Sequence, residues 1–289
     1  MKKIIKFDYK DINYIFTIIK KMDKVLLIDL SYFNFYRFFA TKQWYSRASP
    51  EDNFEDNYDW SKNTLFWEKY NKIYLDTLNT FIKKLKPNKI ILCKDCPRNS
   101  IWRLKLYPEY KGTRENNKHC CGNVFAKVYD VIIPELLKNS LYRMICVDEL
   151  EADDIIYLCI KKLNSQSDKP TEITVISSDN DLLQLVGEFS NVKLMDAKMV
   201  EYGNKARSTR DETLFMKAIL GDNSDNIPKA FNKVGEKTAM QLYQDKNKLA
   251  NKFKEQPDGF KIFSRNMTLI DFHNIPKELE DNFEKKYNN

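Results

Sequence analysis

The chain has 289 residues, 43% of them hydrophobic and 13% aromatic, with only 7 glycines and with 48 Lys and Arg against 41 Asp and Glu for a net charge of +7. That length holds one large domain or two smaller ones, and the composition excludes a disordered or fibrous chain. No apolar run approaches the roughly 18 residues needed to cross a bilayer, so no membrane association is expected.

The N-terminal stretch to residue 22 predicts an amphipathic helical lead-in. Asp8, Asp11 and Asn13 interrupt its apolar residues, which makes it a poor signal peptide. A soluble intracellular, cytoplasmic protein is expected. Cysteines stand at 93, 96, 120, 121, 146 and 159. Cys93, Cys96, His119, Cys120 and Cys121 assemble into a zinc site on paper. Cys93, Cys146 and Cys159 lie among apolar neighbours, however, and read better as small core residues.

Val25–Leu30 is a short, wholly apolar run broken only by Asp29, the pattern of a buried parallel strand. A helix is predicted over 31–40, a loop over 41–61 and a long amphipathic helix over 64–85, stopped by Pro87. Lys89–Cys93 is a second strand, followed by Asp95 and a basic segment from Arg98 to Arg114. A helix over 124–139, disturbed at Pro134, leads to a third strand, 142–147. The segment Glu149–Leu163 then sets Glu151, Asp153 and Asp154 at the start of an apolar helix pattern. Strands at 172–176 and 191–194 complete a βα alternation. The fold class is therefore α/β: a mostly parallel sheet with helices on both faces, over about 1–200. From 201 to 289 the pattern is helical, with helices at 211–220 and 236–244 around a polar connection.

Functional groups in an open parallel sheet gather beyond the carboxyl ends of the strands. There stand Asp29, then Asp95, then Glu151, Asp153 and Asp154, then Asp179 and Asp181. One such Asp is more often a turn cap, but a run of them after successive strands is hard to scatter by accident. Two carboxylates about 4 Å apart repel by roughly 4 kcal/mol at an effective dielectric near 20. The group therefore predicts bound cations, and all-oxygen donors suit Mg²⁺ or Mn²⁺. Asp222 and Asp225 form a second acidic pair that reaches the same pocket or, alternatively, only shapes a turn. Arg103, Lys105, Lys111 and Arg114 alternate with Trp102, Tyr107 and Tyr110, cations and rings of the kind that line a nucleic-acid groove. The alternative is a solvated charged loop.

The order of these blocks resembles the 5′-nuclease superfamily: flap endonucleases and the 5′→3′ exonuclease domains of bacterial DNA polymerases. The blocks are Asp29, Asp95, Tyr-Pro-Glu-Tyr-Lys-Gly-Thr-Arg (107–114), Glu-Ala-Asp-Asp (151–154), Ser-Ser-Asp-Asn-Asp (177–181), Gly-Asp-Asn-Ser-Asp-Asn-Ile-Pro (221–228) and Gly-Glu-Lys-Thr-Ala (235–239). Residues 92–95, Tyr110-Lys111 and 266–272 look closest to the ribonuclease H type of T-even phages.

The resemblance implies two Mg²⁺ ions, with Mn²⁺ as a substitute. Asp29, Asp95, Glu151, Asp153 and Asp154 would serve the first, and Asp179, Asp181, Asp222 and Asp225 the second. Asp153 and Asp179 would be catalytic with Lys111 and Arg114, which hold the scissile phosphate at the base of a helical arch over about 110–139. It also implies a helix–turn–helix element over about 211–244. There Lys229, Lys233, Lys237 and Thr238 would grip duplex backbone beside a K⁺ ion, while Arg103 and Tyr110 would contact nucleic acid nearer the cleavage site. This chain departs from the family at 229–234, Lys-Ala-Phe-Asn-Lys-Val, where glycines are usual.

The implied partners are branched or nicked duplex DNA and RNA/DNA hybrid, with a single-stranded DNA-binding protein and a sliding clamp beyond them, and the implied state is a monomer. The expected activity is that of a structure-specific 5′ nuclease in primer removal and repair. The alternatives are a nuclease-inactive junction-binding protein and a ribonuclease of the PIN type.

Overall fold

The computed structural model describes residues 22–52, 54–55, 57–116, 121–166, 171–205 and 209–288. The predicted N-terminal lead-in lies outside them. Five strands, β1 (Asp23–Asp29), β2 (Lys89–Cys93), β3 (Tyr142–Ile145), β4 (Thr171–Ile176) and β5 (Val192–Met195), form one sheet in the order β3-β2-β1-β4-β5. Every pairing is parallel, so the sheet is wholly rather than mostly so. β1 is central, with Asp29 opposite Cys93 of β2 and Ile28 opposite Ile176 of β4. All the strands therefore end at one edge.

The apolar run of β1 divides by its period of two. Val25 and Leu27 face one core with Ile91, Ile173 and Val175, while Leu26 and Ile28 face the other with Ile90, Leu92 and Ile176. The second core is closed by α1 (Leu30–Ala48), α2 (Thr64–Leu85) and α3, which runs as Gly122–Lys127, a π-helical Val128–Ile132 and Ile133–Leu137. The π-helical turn ends just before Pro134, which has no N–H to continue the ladder. The first core is closed by α4 (Ala152–Gln166) and by α10 (Lys277–Asn288), whose Leu279, Phe283 and Tyr287 pack beside the sheet.

Between them come α5 (Leu183–Glu188), α6 (Arg210–Leu220), α7 (Glu236–Gln244), α8 (Lys246–Glu255) and α9 (Asp258–Ile270). The chain beyond 200 is helical as predicted, but the division there is not clean. The last helix returns to the sheet layer, where Lys161 pairs with Glu280 at 2.7 Å.

Two further expectations are corrected. The segment 41–61 is not all loop: α1 continues to Ala48 because Thr41 and Tyr45 are buried against the second core, and Asp59 caps a helical turn at Trp60–Lys62. The span 110–139 is not all arch either. Val124, Val128, Ile132 and Ile133 are buried, so the part from 122 to 137 covers the sheet and is not free to form an arch. No helix among the described residues is long and apolar enough to cross a membrane.

Candidate metal centre

At the carboxyl edge of the sheet a hollow of about 250 Å³ is lined by Asp29, Asp95, Glu151, Asp153 and Asp179, with Lys111 and Arg114 on its rim. Each acid is delivered by a strand end or the helix that follows it. Asp29 closes β1 and caps α1, its Oδ1 accepting from the Tyr32 N–H at 3.0 Å and its Oδ2 from Ser177 Oγ at 3.0 Å. Asp95 accepts from the Ala152 N–H at 2.7 Å and from the Ser31 hydroxyl, which ties β2 to the start of α4. Asp153 lies in the first turn of α4 and accepts from the Asp154 N–H at 2.7 Å. Asp179 caps the turn after β4.

Burial and then the charge of Asp95 push the Asp29 carboxyl up to about 7. Burial raises Asp95 as well, and burial with Asp154 and Glu151 raises Asp153 far above its ordinary range. In all three, burial is the larger cause and the neighbouring carboxylates the smaller, and both disfavour the charged form when no cation is present. Carboxylates with the Ser31, Ser177 and Ser178 hydroxyls, and no His or Cys in the lining, are a donor set for a hard divalent cation. The residues present fit such an ion.

A pH dependence follows. Asp29 holds its proton to a higher pH in the folded chain than in the unfolded one, so its contribution to stability is complete below about pH 4 and is lost as pH rises through 7. Without divalent ions, thermal melts are expected to lose roughly 2–3 kcal/mol from this group between about pH 5 and 7. Mg²⁺ should cancel that loss. A melting temperature that is flat over this range in chelator would show that the acids do not repel.

The remaining predicted residues stand outside the hollow. The carboxylate oxygens of Glu151, Asp153 and Asp154 lie within 4.8 Å of one another. Asp154 nevertheless faces away: it is fully buried, and its oxygens accept from Arg103 at 2.7 and 2.8 Å, Trp102 Nε1 at 3.1 Å and the Glu151 N–H at 3.1 Å. It orients Arg103 rather than an ion. Arg103 is itself 2% exposed and also bonds Glu151 at 2.8 Å, so it is a buried counter-charge and not a phosphate contact.

Tyr110 is corrected for the same reason. It is 4% exposed, and its hydroxyl lies 3.1 Å from Glu151 and 3.2 Å from Asp225. Asp225 is occupied by Arg114 Nη2 at 2.6 Å, and Asp181 and Asp222 share Lys217. Burial opposes charge on Asp222, but Lys217 and Ser224 outweigh it and hold its carboxyl down at about 2.

Lys111 has a left-handed backbone, φ +56°, uncommon for a residue with a side chain. Its N–H donates to the Asp225 carbonyl at 2.9 Å and its ammonium pairs with Glu151, so the basic segment is tied to the 222–227 turn. That turn begins at Gly221, φ +70°, where an added Cβ would lie 2.4 Å from the Ile227 carbonyl oxygen. Gly221→Ala is expected to cost at least about 1–3 kcal/mol in thermal or urea unfolding; a neutral effect would mean the turn is pliable.

Lys229, Lys233, Lys237 and Thr238 are exposed at the turn between α6 and α7. Phe231, one of the residues standing where family glycines are usual, is 1% exposed and packs so closely on Gly259 that a Cβ there would meet its ring at 2.3 Å. The zinc grouping is not assembled among the described residues: Cys93, Cys96 and Cys121 fall in three separate core clusters, while His119 and Cys120 lie outside them. Cys93 and Cys159 are core residues as predicted, while Cys146 is only half-buried.

Sequence reasoning missed the polar residues Ser31, Ser177 and Lys217, and Tyr32 and Phe35 in the wall. All but Lys217 lie within a few positions of a predicted acid, which was a usable signal. Lys217 carried none, being one basic residue of an amphipathic helix.

A parallel sheet whose carboxyl edge holds clustered acids, bordered by Lys111 and Arg114 in ion pairs, defines a site suited to cations. Residues 24–214 match the family model described as 5'-3' exonuclease, N-terminal resolvase-like domain, and the chain belongs to that family. It is similar to DNA polymerase I of Streptococcus pneumoniae, at 29% identity over 255 residues, 86% of this chain and 26% of the polymerase. The 5'-3' exonuclease of Buchnera aphidicola is 30% identical over 215 residues, 72% of this chain and 68% of that protein. Ribonuclease H of Enterobacteria phage T4 is 27% identical over 236 residues, 75% of this chain and 76% of that one.

The chain thus spans about a quarter of the length of the polymerases it matches. Among solved structures, the bacteriophage T5 flap endonuclease, in a pseudo-enzyme-product complex with DNA and metal ions, superposes with a TM-score of 0.64 at 18% identity. That match covers 91% of this chain and 97% of that one, so the two share a fold.

Proposed function

We propose that the chain is a structure-specific 5′ nuclease that hydrolyses phosphodiesters of DNA or RNA strands in duplex, acting in primer removal and repair. The observation that carries this reading is the meeting of Asp29, Asp95, Glu151, Asp153 and Asp179 with Lys111 and Arg114 around one hollow. Asp29, Asp95, Glu151 and Asp153 would hold one Mg²⁺, and Asp179, Asp181, Asp222 and Asp225 would serve a second, with Mn²⁺ as a substitute. Bound there, the ions supply Lewis acidity and lower the pKa of water.

The chain's own residues do the rest. Lys111 and Arg114 place positive charge where negative charge develops on the phosphoryl oxygens in the transition state. Arg103 and Tyr110 fix Glu151 from behind. Lys229, Lys233, Lys237 and Thr238 hold duplex backbone some distance from the chemistry, with K⁺ at the same turn. The substrates are branched or nicked duplex DNA and RNA/DNA hybrid, and a single-stranded DNA-binding protein and a sliding clamp are the partners such an activity would meet. The protein acts as a monomer in the cytoplasm or a viral replication compartment.

Incubation of the protein with a labelled flap, a nicked duplex and single-stranded RNA, with Mg²⁺ or with chelator, tests this. Cleavage of the duplex substrates in Mg²⁺ alone is expected. Binding without cleavage would favour a junction-binding protein, and cleavage of single-stranded RNA alone a ribonuclease of the PIN type. Lys111→Ala is expected to slow single-turnover cleavage about 10²-fold while flap affinity falls only a few-fold. Equal losses in both would reduce Lys111 to an anchor.

A further inference from the structure

The acids beyond the hollow are compensated very differently from those within it. Lys217, in the last turn of α6, reaches Asp222 Oδ2 at 2.8 Å and also pairs with Asp181. Asp181 follows β4 and Asp222 follows α6, so one ammonium joins the sheet edge to the helical part. All three side chains are largely sheltered, at 16% exposure for Lys217, 10% for Asp181 and 23% for Asp222. The C-terminal end of α6 favours a cation at that place. Two carboxylates and one ammonium leave a single net negative charge, whereas among the described residues no Lys or Arg pairs with Asp29, Asp95, Asp153 or Asp179 of the hollow.

From this contrast we infer that Lys217 is a resident counter-cation that weakens binding of the second divalent ion at Asp181 and Asp222, and so makes the two ions unequal in affinity. The inference rests on the two-ion reading given above. An ion arriving between Asp181 and Asp222 must displace the ammonium, and its charge is repelled by the ammonium until it does. The long flexible stem of lysine allows that displacement. At Asp29 and Asp95 the first ion meets no paired ammonium among the described residues; Lys111 pairs with Glu151 and so competes at that one ligand only. Lys217 is thus a positioning residue for charge, and the protein fills its sites in order.

The test is calorimetric titration of Mn²⁺ into the full chain near pH 7, without nucleic acid. The wild-type protein is expected to bind one ion at least tenfold more tightly than a second. In Lys217→Met the second ion should tighten at least tenfold with the first unchanged, and Lys217→Arg, which keeps the charge, should behave as wild type. Lys217→Gln provides a second neutral variant, and circular dichroism of each confirms the fold. Equal second-ion affinity in the wild type and both neutral variants would overturn the inference, as would a shift in Lys217→Arg as large as in Lys217→Met. Absence of any bound ion in the wild type would instead overturn the metal reading on which it rests.

Discussion

Asp153→Asn is expected to slow single-turnover cleavage of a flap substrate by about 10³-fold or more, while affinity for that substrate changes by less than a few-fold. Asp153 lines the hollow at the start of α4, where burial and the neighbouring Asp154 and Glu151 oppose its ionisation unless a cation stands beside it. Asparagine keeps the size and the oxygen that accepts from the Asp154 N–H, so the helix start survives while the charge is lost. The exposed lysines at the α6–α7 turn are untouched, which is why binding should persist. Rates by rapid quench and affinities by fluorescence anisotropy separate the two effects. Parallel losses would mean that Asp153 supports the fold and not the reaction.

Arg103→Leu is expected to be the most destabilising single change at the site. It removes the counter-charge of Glu151 and Asp154, both buried, and leaves the Leu269 carbonyl without the Arg103 Nε that lies 2.7 Å from it. Breaking a buried ion pair from one side costs about 3–5 kcal/mol. In a chain of this size that lowers the melting temperature by roughly 10 °C. Arg103→Lys should recover only part of the loss, since one ammonium cannot reproduce the forked contact with both oxygens of Asp154. A loss below about 1 kcal/mol for Arg103→Leu would show that water reaches this pair.

Arg103 also shows where the sequence stops being informative. Its place in a run of alternating cations and rings resembles a groove lining, and nothing local distinguishes an exposed Arg from one turned inward to meet acids about fifty positions away. Tyr110 misleads in the same way, since its partners Glu151 and Asp225 are distant in sequence. Strands β1 and β2, by contrast, were legible because burial on both faces demands apolar runs, and Asp29 and Asp95 because they close or follow those runs. The helix 64–85 was legible from its periodicity and from Pro87. The role of the segment 122–137 was not, because the apolar spacing of α3, which covers the sheet, is also that expected of an arch helix. Lys217 was hidden for a related reason: its meaning depends on which acids the fold brings to it.

The central claim is that acids spread from Asp29 to Asp179 fold into one cage for divalent ions. Anomalous diffraction from crystals of the protein soaked in Mn²⁺ tests it most directly. A strong peak in the hollow, within coordination distance of Asp29, Asp95 or Asp153 and absent in Asp153→Asn, is the result this account predicts. Peaks confined to other surfaces, or a peak in the hollow that persists unchanged in Asp153→Asn, would contradict it.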